Sequence, residues 1–161
     1  TELCVMTDQP APVTFRRARH GDLAAIIALL GDDPLGATRE DLSDPPHPAY
    51  DAAFAAIDRD PNQLLAVGER AGAVIACLQI SFIPGLSRLG QWRGQIESVR
   101  VARSGRGDGI GWQLFEWAIT QCRDRQCGLV QLTSDKTRAD ALRFYEQLGF
   151  VASHEGFKLS L

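Results

Sequence analysis

Three groups of residues in this 161-residue chain have types and spacings that could do chemistry. The first is the stretch RSGRGDGIG, from Arg103 to Gly111. It stands between a strand-like and a helix-like segment. A helix start offers unpaired N–H groups and a positive dipole end, and glycines let the backbone approach an anion closely. The second is Glu97 in QIESVRVA. Strand alternation puts Glu97 on a face with Val99 and Val101, and Ile96, Ser98 and Arg100 on the other. Partial burial on such a face raises a carboxyl pKa toward neutrality and suits it to take a proton, directly or through water. A surface glutamate paired with Arg93 or Arg100 is the competing reading. The third is Tyr145 in ALRFYEQLGF, on the apolar side of a helical pattern. It is either a core aromatic or a phenol able to give up a proton, and its hydroxyl needs a partner if buried.

Counting the glycines narrows the first group. A dinucleotide fingerprint needs G-x-G-x-x-G, and the third glycine is replaced by Ile110, Trp112 or Leu114 in the three registers. A phosphate-binding Walker loop needs Gly-Lys, a pair absent from the chain. The RGD tripeptide, Arg106 to Asp108, is too short to carry an adhesion reading. What fits is R-x-x-G-x-G, with Arg106, Gly109 and Gly111 in register. Asp108 is expected to turn its carboxylate to solvent and its N–H to the ligand.

These residues need elements to hold them. VTFRRA reads as a first strand, and GDLAAIIALLGDD as a helix with Leu23, Ile26, Ile27 and Leu30 on one side, Asp22 as its cap and Gly31 as its stop. An acidic, proline-bearing loop holds Asp32, Asp33, Glu40, Asp41 and Asp44, either lining a cleft for a cationic amine or simply solvated. A second helix starts near Pro48. NQLLAVGER and AVIACLQISFI read as a hairpin turning at ERAG, and QIESVRVA as the next strand. IGWQLFEWAITQCRDRQ is a helix with Ile110, Leu114, Ala118 and Cys122 inward and Trp112 outward. GLVQLTS is a strand, TRADALRFYEQLG a helix, and FVASHEGFKLSL closes with one or two strands. The order is mixed rather than strictly alternating, so the expected class is α+β (mixed α/β).

Composition removes other classes. The net charge of −3 gives no basic footprint for nucleic acid. No apolar run approaches the roughly 20 residues that span a bilayer. TELCVMTDQPAPVTF has no basic-then-apolar leader, so the expected compartment is the cytoplasm. Cys4, Cys77, Cys122 and Cys127 lack the paired spacing of a disulfide framework or zinc site, and His20, His47 and His154 are scattered, so no metal is expected.

Taken together, VRVARSGRGDGIGWQLFEWAI and ALRFYEQLGF resemble two motifs of the GNAT superfamily of acetyl-CoA-dependent N-acyltransferases. VRVARSGRGDGIGWQLFEWAI is similar to that family's strand-loop-helix pyrophosphate signature. ALRFYEQLGF is similar to its C-terminal signature, an Ala four residues before a Tyr and then Gly-Phe. The resemblance implies a central, mostly antiparallel twisted sheet of six to seven strands flanked by four helices. It spans residues 13–161 as one acyltransferase domain, after a flexible segment 1–12. It implies transfer of an acetyl group from acetyl-CoA to a primary amine of a small molecule or peptide, by direct attack in a ternary complex. Tyr145 would protonate the leaving thiolate and Glu97 would be the base.

Coenzyme contacts are implied for Val99, Arg100, Val101, Arg106, Gly107, Asp108, Gly109, Ile110, Gly111, Ser134, Arg138, Ala141 and Phe144. Of these, the Val99 amide would polarise the thioester carbonyl. One departure is Arg138, where the family often has Asn; Lys136 or Arg138 would then meet the coenzyme 3′-phosphate. The alternative function is a non-catalytic acyl-CoA-binding or sensing domain. Trp112 suggests a homodimer contact.

Overall fold

The computed structural model describes residues 9–161. The segment expected to be flexible, 1–12, therefore lies largely outside the described residues; the part that is described, 9–12, is exposed and irregular.

A single sheet has the order β1-β2-β3-β4-β5. Its strands are β1 (Thr14–Arg17), β2 (Gln63–Arg70), β3 (Ala73–Ile83), β4 (Arg93–Val101) and β5 (Leu129–Leu132). The first four pair antiparallel, and β5 joins β4 in parallel. Among the described residues five helices complete the fold: α1 (Leu23–Gly31), α2 (Pro48–Arg59), α3 (Ser87–Gly90), α4 (Ile110–Asp124) and α5 (Ala139–Gln147).

The expectation of six to seven strands and four helices needs correction on both counts. The extra helix is α3, four residues long, with Arg88 and Leu89 in left-handed conformations. The missing strands belong to FVASHEGFKLSL: from Phe150 onward no residue is in a strand. A strand needs a neighbouring backbone to bond to, and this segment passes the end of β5 rather than running beside it. A Cβ built on Gly156 would lie 3.8 Å from Cγ2 of Thr133, just after β5.

The central strands read as continuous apolar runs because both sheet faces are covered. Leu64 to Gly68 of β2 and Ile75 to Leu78 of β3 are all buried. Between these strands the chain turns at Ala71 and Gly72, both at positive φ, as a two-residue hairpin of this hand requires. One face packs on α1 and α2, through Ile26, Ile27, Phe54, Leu65, Val67 and Cys77. The other packs on α4, whose Ile110, Leu114, Ala118 and Cys122 are inward as their spacing predicts. Here Gly94 matters, since a Cβ on it would run into Sγ of Cys122. Asp22 does not cap α1 with its side chain. Its carboxylate instead accepts from the Arg19 amide and from Arg16.

Candidate active site

The site begins where β4 ends. The Ala102 amide donates to Ile75, which keeps the chain on the sheet one residue past Val101. A tight turn over Arg103–Gly105 follows, then two left-handed glycines, Gly107 (φ 87°) and Gly109 (φ 74°), and α4 starts at Ile110. Inside this loop the amides of Gly105, Arg106 and Asp108 donate to the carbonyls of Ala102, Arg103 and Gly105. The amides of Gly107, Gly109, Ile110 and Gly111 make no such bond to a described residue, and no described side chain caps α4. A Cβ on Gly107 or Gly109 would meet nothing within 4 Å. Open amides, open space and a helix N-terminus together make an anion cradle of the size and chemistry a pyrophosphate needs.

One member of this stretch behaves in part otherwise than the sequence suggests. Asp108 keeps its carboxylate at the exposed surface, where Nη1 of Arg70 binds it at 3.0 Å. Its N–H points back to Gly105 at 3.4 Å rather than outward. The arginine at the end of β2 thus removes the anomaly of a carboxylate at an anion site by neutralising it. Gly111 lies beside the Phe144 ring, and a Cβ there would stand 3.5 Å from it. The edge-on contacts of Phe144 with Trp112 (6.5 Å) and Phe115 (5.6 Å) fasten α5 to α4. Arg106 is exposed and makes no ion pair with a described residue.

β4 and β5 pair only over Arg93–Ile96 and Leu129–Leu132. Beyond Ile96, β4 continues for five residues with no partner on that side, so the strands part and expose a backbone edge. The parting coincides with a bulge: Ser98 has φ 55°, and the register against β3 shifts between Cys77 and Gln79. A bulge inserts one residue and reverses the alternation beyond it. This overturns the expected faces. Val99 and Val101 pack with Ile96 against the α4 side. Glu97 and Arg100 stand opposite Gln79 and Cys77, on the α1–α2 side. Glu97 is exposed, not partly buried among valines.

Tyr145 lies on α5, edge-on to Phe115 (5.5 Å), Phe144 (5.6 Å) and Phe150 (6.1 Å). Its hydroxyl makes no hydrogen bond to a described residue. Burial pushes its pKa above the ordinary phenol value, against a smaller downward pull from Arg138 and Arg100. The phenol is therefore protonated throughout the neutral range. The same two arginines meet at Asp33. Arg138 Nη2 is 2.7 Å and Arg100 Nε 3.4 Å from Oδ2 of Asp33, and the Gly36 amide donates to its other oxygen. The Gly36 amide and then the arginines hold the Asp33 carboxyl below its usual range. Nε of Arg100 is buried without a hydrogen bond to a described residue, while its Nη1 donates to the Val99 carbonyl at 2.9 Å.

So the fold brings together the glycine loop, Val101, Phe144 and Tyr145, and sets Arg100 and Arg138 within charge range of the phenol. Ala141 is half-buried on the first turn of α5. Ser134 is exposed in the loop after β5, and Lys136 pairs with Glu155 at 3.3 Å at the surface. Sequence reasoning missed Arg70 and the bridging role of Asp33. Their partners are 38 and 105 residues away, and neither pairing leaves a local signal.

The chain is similar to known proteins over most of its length. Residues 14–150 match the acetyltransferase (GNAT) family. The chain belongs to that family. As a GNAT acetyltransferase it is an acyltransferase enzyme that takes acetyl-CoA as donor, and the open cradle at residues 107–111 fits that coenzyme. An aminoalkylphosphonate N-acetyltransferase of Salmonella typhimurium is 33% identical over 113 residues, 70% of this chain and 73% of the relative. A transcriptional regulator from Bacillus halodurans C-125 superposes with a TM-score of 0.91 at 47% identity, over 93% of this chain and all of that one. An acetyltransferase from Trypanosoma brucei superposes with a TM-score of 0.74 at 28% identity, over 93% and 100%. No helix among the described residues of the acetyltransferase is long and apolar enough to cross a membrane.

Proposed function

We propose that this acetyltransferase acetylates the primary amine of a small acceptor that also carries an anionic group, of the aminoalkylphosphonate kind. The observation that carries this reading is the pair of guanidiniums, Arg100 and Arg138, beside Tyr145. They share one carboxylate, Asp33, and Nε of Arg100 has no hydrogen bond to a described residue. Two cations against one anion leave a positive excess where an acceptor would lie, and a guanidinium is suited to a phosphonate or carboxylate group. The named activity of the 33%-identical relative supports the same class.

Each residue then has a task. The amides of Gly107, Gly109, Ile110 and Gly111 hold the pyrophosphate, with Arg106 adding charge at the surface. The free edge of β4 at Val99 and Val101 offers backbone groups to the pantetheine arm. Phe144 and Ala141 form the apolar wall on the α5 side, and Ser134 lies beyond it at the surface. Acetyl-CoA supplies the acetyl group as a thioester when bound. Tyr145 holds a proton on its hydroxyl, free of any internal acceptor, for a thiolate leaving group. Glu97, open to water, accepts the proton that the ammonium must lose, through solvent. Transfer is direct, in a ternary complex, without a covalent intermediate on the enzyme.

A non-catalytic acyl-CoA-binding module is less well supported, because the phenol is present, protonated and unpartnered. Thiol release from acetyl-CoA over a panel of amines separates the readings. Turnover with aminoalkylphosphonates above aminocarboxylates and neutral alkylamines is the expected result. Acetyl-CoA binding with no turnover on any amine would favour the module.

A further inference from the structure

The end of α4 brings two cysteines together. Gln126, just past the helix, is left-handed at φ 60°. The Gln126 amide donates to the Arg123 carbonyl at 2.9 Å, and the Cys127 amide reaches back to the Cys122 carbonyl at 3.0 Å. These two bonds make a Schellman cap, in which the side chains of the residues joined by the longer bond meet across the helix end. An apolar pair commonly fills those two places. Here both are cysteines, and both are free thiols among the described residues.

Their surroundings hold them there. Sγ of Cys122 fills the space over Gly94 of β4, where a Cβ would collide with it. Cys127 packs against the same core, and the next amide, that of Gly128, donates to Trp92 at 2.8 Å and ties the cap to the start of β4. The two thiols differ in access: Cys122 is fully buried and Cys127 half-buried. Burial raises the pKa of both. Contact with each other raises Cys122 further, whereas Arg125 and the same contact pull Cys127 back. Cys127 is therefore the thiol that meets an oxidant from solvent, with Cys122 behind it. Cys77 packs on the opposite face of the sheet, with α1 and α2.

We propose that Cys122 and Cys127 are a reversible oxidation site, closed to a disulfide across the α4 cap by hydrogen peroxide. The Cys127 sulfur attacks one peroxide oxygen, the O–O bond breaks, and Cys127 becomes a sulfenic acid as one water leaves. The Cys122 sulfur then attacks the sulfenic sulfur. The S–O bond breaks, and the departing hydroxide takes the Cys122 proton and leaves as a second water. Two thiols lose two electrons, and one peroxide is reduced to two waters. A dithiol reverses the step by exchange and is itself oxidised. Closing the disulfide spares Cys127 the irreversible sulfinic and sulfonic states. Cys122 lies about 18 Å along α4 from Ile110, so the coenzyme loop stays as it is.

The test treats the reduced full chain with hydrogen peroxide at neutral pH, then alkylates and digests it. Trypsin cuts after Arg123 and Arg125, so the disulfide joins peptide 107–123 to peptide 126–136. That linked pair should be the main oxidised product, in chains that run as monomers on a non-reducing gel, and dithiothreitol should abolish it. In Cys122→Ala, the same treatment should carry Cys127 on to sulfinic and sulfonic acids. In Cys127→Ser, Cys122 should stay reduced; this half-buried change keeps the test intact if the core change at Cys122 does not fold. Wild-type Cys127 reaching sulfinic acid with no linked pair, Cys127 joined to Cys4 or to another chain, or Cys122 oxidised in Cys127→Ser would each overturn the proposal.

Discussion

Replacing Tyr145 by Phe separates structure from chemistry. The ring sits edge-on to three aromatic neighbours at 5.5 to 6.1 Å, and phenylalanine keeps all of those contacts. The hydroxyl makes no hydrogen bond to a described residue, so its loss breaks none. The expected change in folding stability is within about 0.5 kcal/mol, or roughly 1–2 °C in Tm for a domain of this size. The catalytic cost is different in kind. A positioned general acid contributes about 10²- to 10⁴-fold, which is roughly 2.7–5.4 kcal/mol of transition-state stabilisation. Thermal unfolding followed by circular dichroism reads the first quantity. Steady-state thiol release with saturating amine reads the second, and the KM for acetyl-CoA should stay within about twofold of wild type. The pH profile is a further check. Burial raises the phenol pKa, so the acid form persists and this group should cause no fall in kcat as pH rises toward about 10. An unchanged kcat for Tyr145→Phe would refute the role, and a loss of activity matched by a loss of stability would show Tyr145 to be core alone.

Gly109→Ala meets no neighbour but forces alanine to φ 74°, so it should cost about 1–2 kcal/mol of stability and weaken acetyl-CoA binding at least about tenfold. Gly21→Ala, equally open but without positive φ, should change neither quantity, as calorimetric titration and melting would show. Asp33→Asn should lower stability at neutral pH by roughly 1.5–3 kcal/mol, because it leaves Arg100 and Arg138 without their anion. Since the Asp33 pKa is depressed in the folded state, its stabilisation is present above the unfolded value near 3.9 and lost as pH falls through the folded value. Denaturant titrations from pH 7 to 2 should therefore show a shallower acid loss in the variant. Burial pushes the Cys77 and Cys122 thiols up to about 12, so a thiol reagent at pH 8 should reach them only after unfolding, while half-buried Cys127 reacts first among these three.

Periodicity made the helices legible. Ile110, Leu114, Ala118 and Cys122 are inward because a 3.6-residue repeat leaves one choice of face. The glycine loop was legible from R-x-x-G-x-G, and of its two glycines Gly109, at φ 74°, sits where the backbone favours that residue; Gly107, outside the motif, does the same at φ 87°. Glu97 was misplaced because the bulge at Ser98 carries no glycine to announce it, and one extra residue reverses every face beyond it. The Arg70–Asp108 and Asp33–Arg138 pairs join residues far apart in sequence, and only the folded chain shows which charges meet. The closing segment alternates apolar Phe157, Leu159 and Leu161 with polar residues, but alternation specifies a strand and not its partner, and among the described residues these have none.

The central claim is acetyl transfer to an anionic small amine at a site built from the glycine loop, Tyr145 and the Arg100–Arg138 pair. The direct measurement is kcat/KM for an aminoalkylphosphonate against an alkylamine of equal length lacking the phosphonate, in wild type and in Arg100→Gln. At least a tenfold preference for the phosphonate is expected in wild type, most of it lost in Arg100→Gln while the rate on the neutral amine holds within about threefold. Equal rates on both amines in wild type, or a preference untouched by the substitution, would contradict it.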